Sequence, residues 1–289
     1  MAYWKTKTKW KKFKGVKLPK VQNNRFISQG TSKEELEVAN FLQLEIPQHK
    51  VYRGDRVILQ GHEIDIYVPT LKFGLEFHGL YFHKDKDPSY HLSKAIGAEK
   101  AGVYLIQLFE DEWQQKKPLV IDLIRRSLGK YKILDLKDCI FTKVSPSEAK
   151  LFFEKTHLLG NPDDVDEYYG LIYQNSLIYC AGIQNKEHWI ILRDTWLPGI
   201  FVEQGLAKLC KELLNIETKP IEAILDRRLF DGKDFKTLGF KEYADTEPNV
   251  YYSCDFEQRI PAVKMTESIK VGEDWFKYYD AGNRKLILK

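Results

Sequence analysis

The run from His62 to His78 holds the residue types best suited to chemistry. Folded as a hairpin with its turn at 69–72, where Pro69 is tolerated because the strand has ended, it opposes Val68 to Phe73, Ile66 to Leu75 and Ile64 to Phe77 on an apolar face. The other face opposes Glu63 to His78, Asp65 to Glu76 and Tyr67 to Gly74. Opposed Cβ atoms stand about 4.5–5.5 Å apart, and like charges there are destabilising. Facing carboxylates with a histidine beside them are instead a donor set for a hard divalent cation, Mg²⁺ or Mn²⁺. His83 follows just past the strand end, Glu35 is offered by a preceding helix, and His91 and Lys94 by a later one. Phosphodiester hydrolysis needs such parts: a metal to polarise water, and an acid or base tuned near neutrality. Each residue also has a plainer role. A one-residue register slip would exchange the two faces, a lone histidine more often completes a core, and Glu35 suits a helix N-terminus.

The elements that must position these groups are legible from pattern. Thr31-Ser32 is an N-cap signal before Glu34 and Glu35, and Leu36, Ala39, Phe41 and Leu42 give residues 32–44 an apolar stripe. Strands are expected at 50–54, 56–60, 63–68, 73–78 and 103–108, and helices at 90–101 and 118–128. Beyond Tyr131 the pattern gives a helix at 146–156, two strands around Gln174-Asn175-Ser176, a strand at 189–193, a helix at 203–215, and strands at 221–225 and 249–254. A hairpin turn is expected at 278–283.

Composition bounds the rest. The chain has 289 residues, near the ceiling for one hydrophobic core, so two domains are expected. No apolar run approaches the ~20 residues that span a bilayer. Cys139, Cys180, Cys210 and Cys254 lie far apart, which disfavours a zinc ribbon or disulfide framework and fits a reducing cytoplasm. Net charge is only +4, yet residues 1–30 carry eight lysines, Arg25 and no acid. This arm, with Lys5, Lys7, Lys9, Trp10, Lys11, Lys12 and Lys14, can neutralise phosphates and stack on bases; double-stranded DNA is the expected partner. A solvated tail that aids solubility is the plainer reading.

Asp65, Glu76 and His78 form D-x₁₀-E-x-H, which resembles a PD-(D/E)XK nuclease signature with His in place of Lys. The block Leu75 to His83 is similar to the very-short-patch-repair-type endonucleases, and more closely to phage homing endonucleases with the EDxHD active site. Ser32-Lys33-Glu34-Glu35, Glu63 to Pro69, Tyr90-His91-x-x-Lys94 and Gly102 to Trp113 carry the likeness over about 31–128. It implies a mixed sheet flanked by helices. It also implies Asp65 and Glu76 as metal ligands, His78 in the lysine position, His83 as acid or base, and Glu35 completing the site. No cysteines match the structural zinc of the repair enzymes.

A second region resembles acetyltransferase-like (GNAT-like) domains over roughly 138–255, through Ile224 to Gly232, Leu238-Gly239-Phe240, Pro248 to Tyr252, His157 to Gly160 and Gln204 to Leu209. Gly205-x-Ala207 is half of a pyrophosphate loop, but Glu203 would repel the anion, which favours a DNA-contacting role with Lys94, Arg227 and Arg228 as further contacts. The expected organisation is an arm at 1–30, an α/β nuclease-like domain at 31–130, an α/β GNAT-like domain at 131–255 and an extension at 256–289. The expected function is a metal-dependent, phage homing-type DNA endonuclease in the host cytoplasm. The alternatives are a GNAT-type acyltransferase or nucleobase-modifying enzyme, a non-catalytic DNA-binding accessory protein, and a repair nuclease.

Overall fold

The computed structural model describes residues 22–23, 33–59, 62–266 and 274–289, so the expected arm contacts Lys5, Lys7, Lys9, Trp10, Lys11, Lys12 and Lys14 lie outside the described residues. The fold is mixed α/β. Its first region comprises β1 (Gln22–Asn23), α1 (Lys33–Glu45), β2 (Tyr52–Leu59), β3 (His62–Val68), β4 (Phe73–His78), α2 (Leu80–His83), α3 (Tyr90–Lys100), β5 (Tyr104–Phe109) and α4 (Glu110–Ser127). The five strands form one sheet in chain order. β3 and β4 pair Val68 with Phe73, Tyr67 with Gly74 and Ile66 with Leu75, the register expected from the apolar face. β4 then runs parallel to β5 and is buried along its whole length, because helices cover both faces. α1 turns Val38, Ala39 and Leu42 onto this core.

Two expectations fail locally. β2 is continuous through 52–59 rather than split in two, and its register against β3 shifts between Asp55 and Leu59. α4 begins at Glu110, not at Pro118. The Glu112 carboxylate accepts from Phe109 N–H (2.9 Å) and caps the start, while a non-helical Lys116 lets Pro118 sit inside.

The second region comprises β6 (Lys132–Leu134), β7 (Ile140–Val144), α5 (Pro146–Thr156), β8 (Glu167–Tyr173), β9 (Ser176–Asn185), β10 (Trp189–Trp196), β11 (Ile200–Val202), α6 (Gly205–Ile216), β12 (Ile221–Asp226), α7 (Lys233–Thr237), β13 (Lys241–Asp245), β14 (Val250–Ser253), β15 (Ile260–Pro261), β16 (Phe276–Tyr279) and β17 (Asn283–Leu288). Seven strands form a sheet in the order β13-β17-β12-β10-β9-β8-β7, in which only β10 and β12 are parallel neighbours. β8 and β9 turn through Gln174 and Asn175, both at positive φ as a two-residue hairpin requires.

The hairpin expected at 278–283 does not form. β16 pairs with β14 in a separate three-stranded sheet, and β17 crosses into the large sheet between β12 and β13. Buried Asp280 fixes the crossover by accepting from the backbone N–H groups of Asn249 and Gly282, at 2.7 Å each. Sequence pattern sees two apolar stretches around a turn; only the long-range partners of Asp280 send them apart.

The two regions share a core. Leu158 and Leu229 pack with Ile106, Leu108, Trp113 and Val120. At β5, Gln107 N–H donates to Arg228 O (2.9 Å) and Arg228 Nη1 donates back to Gln107 O (3.1 Å). Among the described residues no helix is long and apolar enough to cross a membrane.

Candidate functional site

The sheet gathers the candidate residues of the first region into two adjoining clusters. In one, Lys94 reaches from α3 to Glu76, with Nζ 2.5 Å from Oε2, both side chains buried. The partly buried Asp65 accepts from Phe77 N–H at 2.7 Å, so its carboxylate terminates the β3–β4 ladder. Burial raises the Asp65 pKa to about 6 despite Lys94 and this hydrogen bond. Burial and the neighbouring Asp65 push Glu76 well above the usual carboxylate range. Burial alone would depress Lys94, but Glu76 and Asp65 outweigh it and raise its pKa. The trio is thus an ammonium shared by two carboxyls that resist being charged together. In this arrangement the partner of Glu76 Oε2 is the Lys94 ammonium, where the sequence pattern places Mg²⁺ or Mn²⁺.

In the other cluster, His78, His83 and His91 converge from β4, α2 and α3, with one nitrogen of each within 4.8 Å of the others. His78 does not hold the lysine position beside the carboxylates; Lys94 does. His78 instead faces Gln107 Oε1 at 3.1 Å. Glu35, on α1, bonds Arg53 at 2.9 Å and lies near enough to Asp65 to help raise its pKa. His91 was legible only through its spacing from Lys94, which puts both on the sheet-facing side of α3. Gln107, in the apolar run of β5, gave no signal at all.

The expected DNA contacts on the folded body are corrected. Lys94 is committed to Glu76. Arg228 is fully buried between Asp226 (3.0 Å) and Glu112 (3.1 Å). Arg227 is buried against Glu99 and Asp245. A pair of arginines reads as a solvated turn in sequence, but here the acids that neutralise them come from distant segments.

In the second region, β10 and β12 pair only at Trp189–Ile221, Ile190–Glu222 and Ile191–Ala223, then part at a bulge between Ile191 and Arg193. α6 starts against Trp196 at the end of β10, with Gly205 after Gln204 in the left-handed conformation, and its first turn holds no acid. A Cβ at Gly205 would lie 2.4 Å from Trp196, so only glycine fits there. Asp194, on β10 beyond the bulge, has its pKa raised to about 6 by burial and then by Asp234.

No protein-family model matches the chain, and no curated protein matches it. Solved structures similar to it include Arabidopsis thaliana Naa50 in complex with a bisubstrate analogue (TM-score 0.35, 9% identity, 53% of this chain and 99% of that one). Another is the ribosomal-protein-S18-alanine N-acetyltransferase from Escherichia coli (0.33, 11%, 52% and 92%). A third is a GNAT family acetyltransferase from Elizabethkingia anophelis with acetyl-CoA bound (0.33, 15%, 53% and 98%). These neighbours are acetyltransferases, not PD-(D/E)XK or homing endonucleases. The expected metal-dependent endonuclease is corrected on that finding, and with it the expected Mg²⁺ or Mn²⁺.

Proposed function

We propose that the chain is a GNAT-type acyltransferase that draws on an acyl-CoA, with its site in the second region. The observation that carries this reading is the parting of parallel strands β10 and β12, with the N-terminus of α6 packed on β10 at Trp196. Parted strands leave backbone groups free to meet an extended amide-bearing chain. Amide N–H groups at the start of a 12-residue helix suit a pyrophosphate. The residues fit the group in that the first turn of α6 holds no acid, and oppose it at Glu203, whose exposed carboxylate precedes the helix. An acyl-CoA held there would supply a thioester as acyl donor to an amine acceptor, with the start of α6 placed to hold its pyrophosphate.

Calorimetric titration of the full chain with acetyl-CoA and CoA tests this. The expected result is one saturable site, weakened about tenfold or more by Gln204→Glu and tightened a few-fold by Glu203→Gln, as charge near a helix N-terminus dictates. No binding of either compound would reject the reading.

A second reading concerns a partner. The arm at 1–30, with eight lysines, Arg25 and no acid, supports binding of double-stranded DNA. Deleting residues 1–20 should weaken binding to all sequences and flatten the log–log salt slope by about 0.9 per lost phosphate contact. An unchanged slope would leave the arm a solubility tail.

A further inference from the structure

The three imidazoles are held as ligands are held. Gln107 Nε2 donates to His91 O (3.1 Å), which fixes its amide so that Gln107 Oε1 accepts from His78 Nε2–H. His78 Nδ1 is left with its lone pair, fully buried and without a partner among the described residues. His91 Nδ1–H donates to Tyr279 O, which turns the lone pair of Nε2 towards His83 Nδ1, 3.1 Å away. The geometry points to a new metal site: His78 Nδ1, His83 Nδ1 and His91 Nε2 bind one borderline divalent cation of the Zn²⁺ or Co²⁺ class.

Imidazole is the ligand type these ions favour. Zn–N bonds of about 2.0–2.1 Å in a tetrahedral set call for nitrogens little more than 3 Å apart. The His83–His91 pair already has that spacing, and the three ligand nitrogens lie within 4.8 Å of one another. Gln107 and the Tyr279 carbonyl supply the outer hydrogen bonds that orient ligating histidines. His78 and His91 are buried and His83 is partly exposed, so an ion enters past His83 and keeps its fourth position towards solvent. Lys94, Lys86 and Arg228 lie near enough to oppose a cation; they reduce affinity without occupying the three nitrogens.

The site differs from the carboxylate pair in both residues and ion class. Its test is titration of the metal-stripped full chain with Co²⁺, followed by visible d–d absorption and calorimetry, then displacement by Zn²⁺. One equivalent of four-coordinate Co²⁺ is expected. His83→Ala and His83→Gln, each checked by circular dichroism for a native fold, should lose affinity by more than ~100-fold. Gln107→Leu should lose about 10–100-fold, the usual effect of an outer-shell partner, and exposed His62→Ala should lose nothing. Absence of the band and of binding heat in the wild type would overturn the site, as would wild-type affinity in both His83 variants.

Discussion

Glu112 and Glu76 are both buried glutamates, yet the fold shifts their pKa values in opposite directions. Glu112 meets two arginines, Arg228 at 3.1 Å and Arg259 at 3.0 Å, and accepts from Phe109 N–H. Burial would raise its pKa, but Arg228 and Arg259 outweigh that and bring it down to about 2. Glu76 has only Lys94, which it shares with Asp65, and burial pushes it the other way. One Glu76 oxygen has no hydrogen-bond partner among the described residues. The junction between the two regions is thus neutralised by bidentate cations from distant segments and acts as a structural tie. The β3–β4 cluster is left short of cations and of hydrogen bonds, as functional sites are.

The strongest way to break this contrast is Arg228→Ala. It strips Asp226 and Glu112 of a shared buried cation, and a loss of ~3–5 kcal/mol in urea unfolding is expected. A change below ~1 kcal/mol would mean the junction is not a tie. Asp65→Asn should act in the opposite direction, stabilising the protein by about 1–3 kcal/mol at pH 7, because it removes a carboxyl that the fold holds against ionisation.

The pH profiles sharpen the same point. The folded pKa of Glu112 is depressed, so its contribution is present above about pH 4.5 and lost as pH falls towards 2. The folded pKa of Asp65 is raised, so its contribution is present below about pH 3.8 and lost as pH rises through 6. The stability difference between wild type and Asp65→Asn should therefore open between pH 4 and 6, and a flat difference would contradict the assignment. The smallest effect is expected at Arg284→Ala. Its partners Glu99, Glu242 and Asp245 are 39–43% exposed, and solvent limits such pairs to about 1 kcal/mol or less in a thermal or urea scan.

Legibility followed the range of the interactions. The β3–β4 register could be read because period-two burial of Ile66, Val68, Phe73 and Leu75 is local and a turn of known length sets it. The start of α4 could not, since the sequence pattern begins the helix at 118 while the Glu112–Phe109 cap starts it at Glu110. In the candidate site, the residue types were visible but their partners were not. Glu76 was read as facing Asp65 and a metal, and the fold brings Lys94 from another helix instead. Arg227 and Arg228 were read as DNA-facing, and acids from both regions pair with them in the interior.

By itself the sequence determined the mixed α/β class, the hairpin that carries Asp65 and Glu76, and most helix and strand positions, because periodicity and turn chemistry act over a few residues. Tertiary structure alone decided that β16 and β17 part company, that the arginines face inward, and that His78, His83 and His91 meet. Those outcomes depend on which charges and hydrogen-bonding groups share a buried volume, and a linear pattern carries no measure of that proximity.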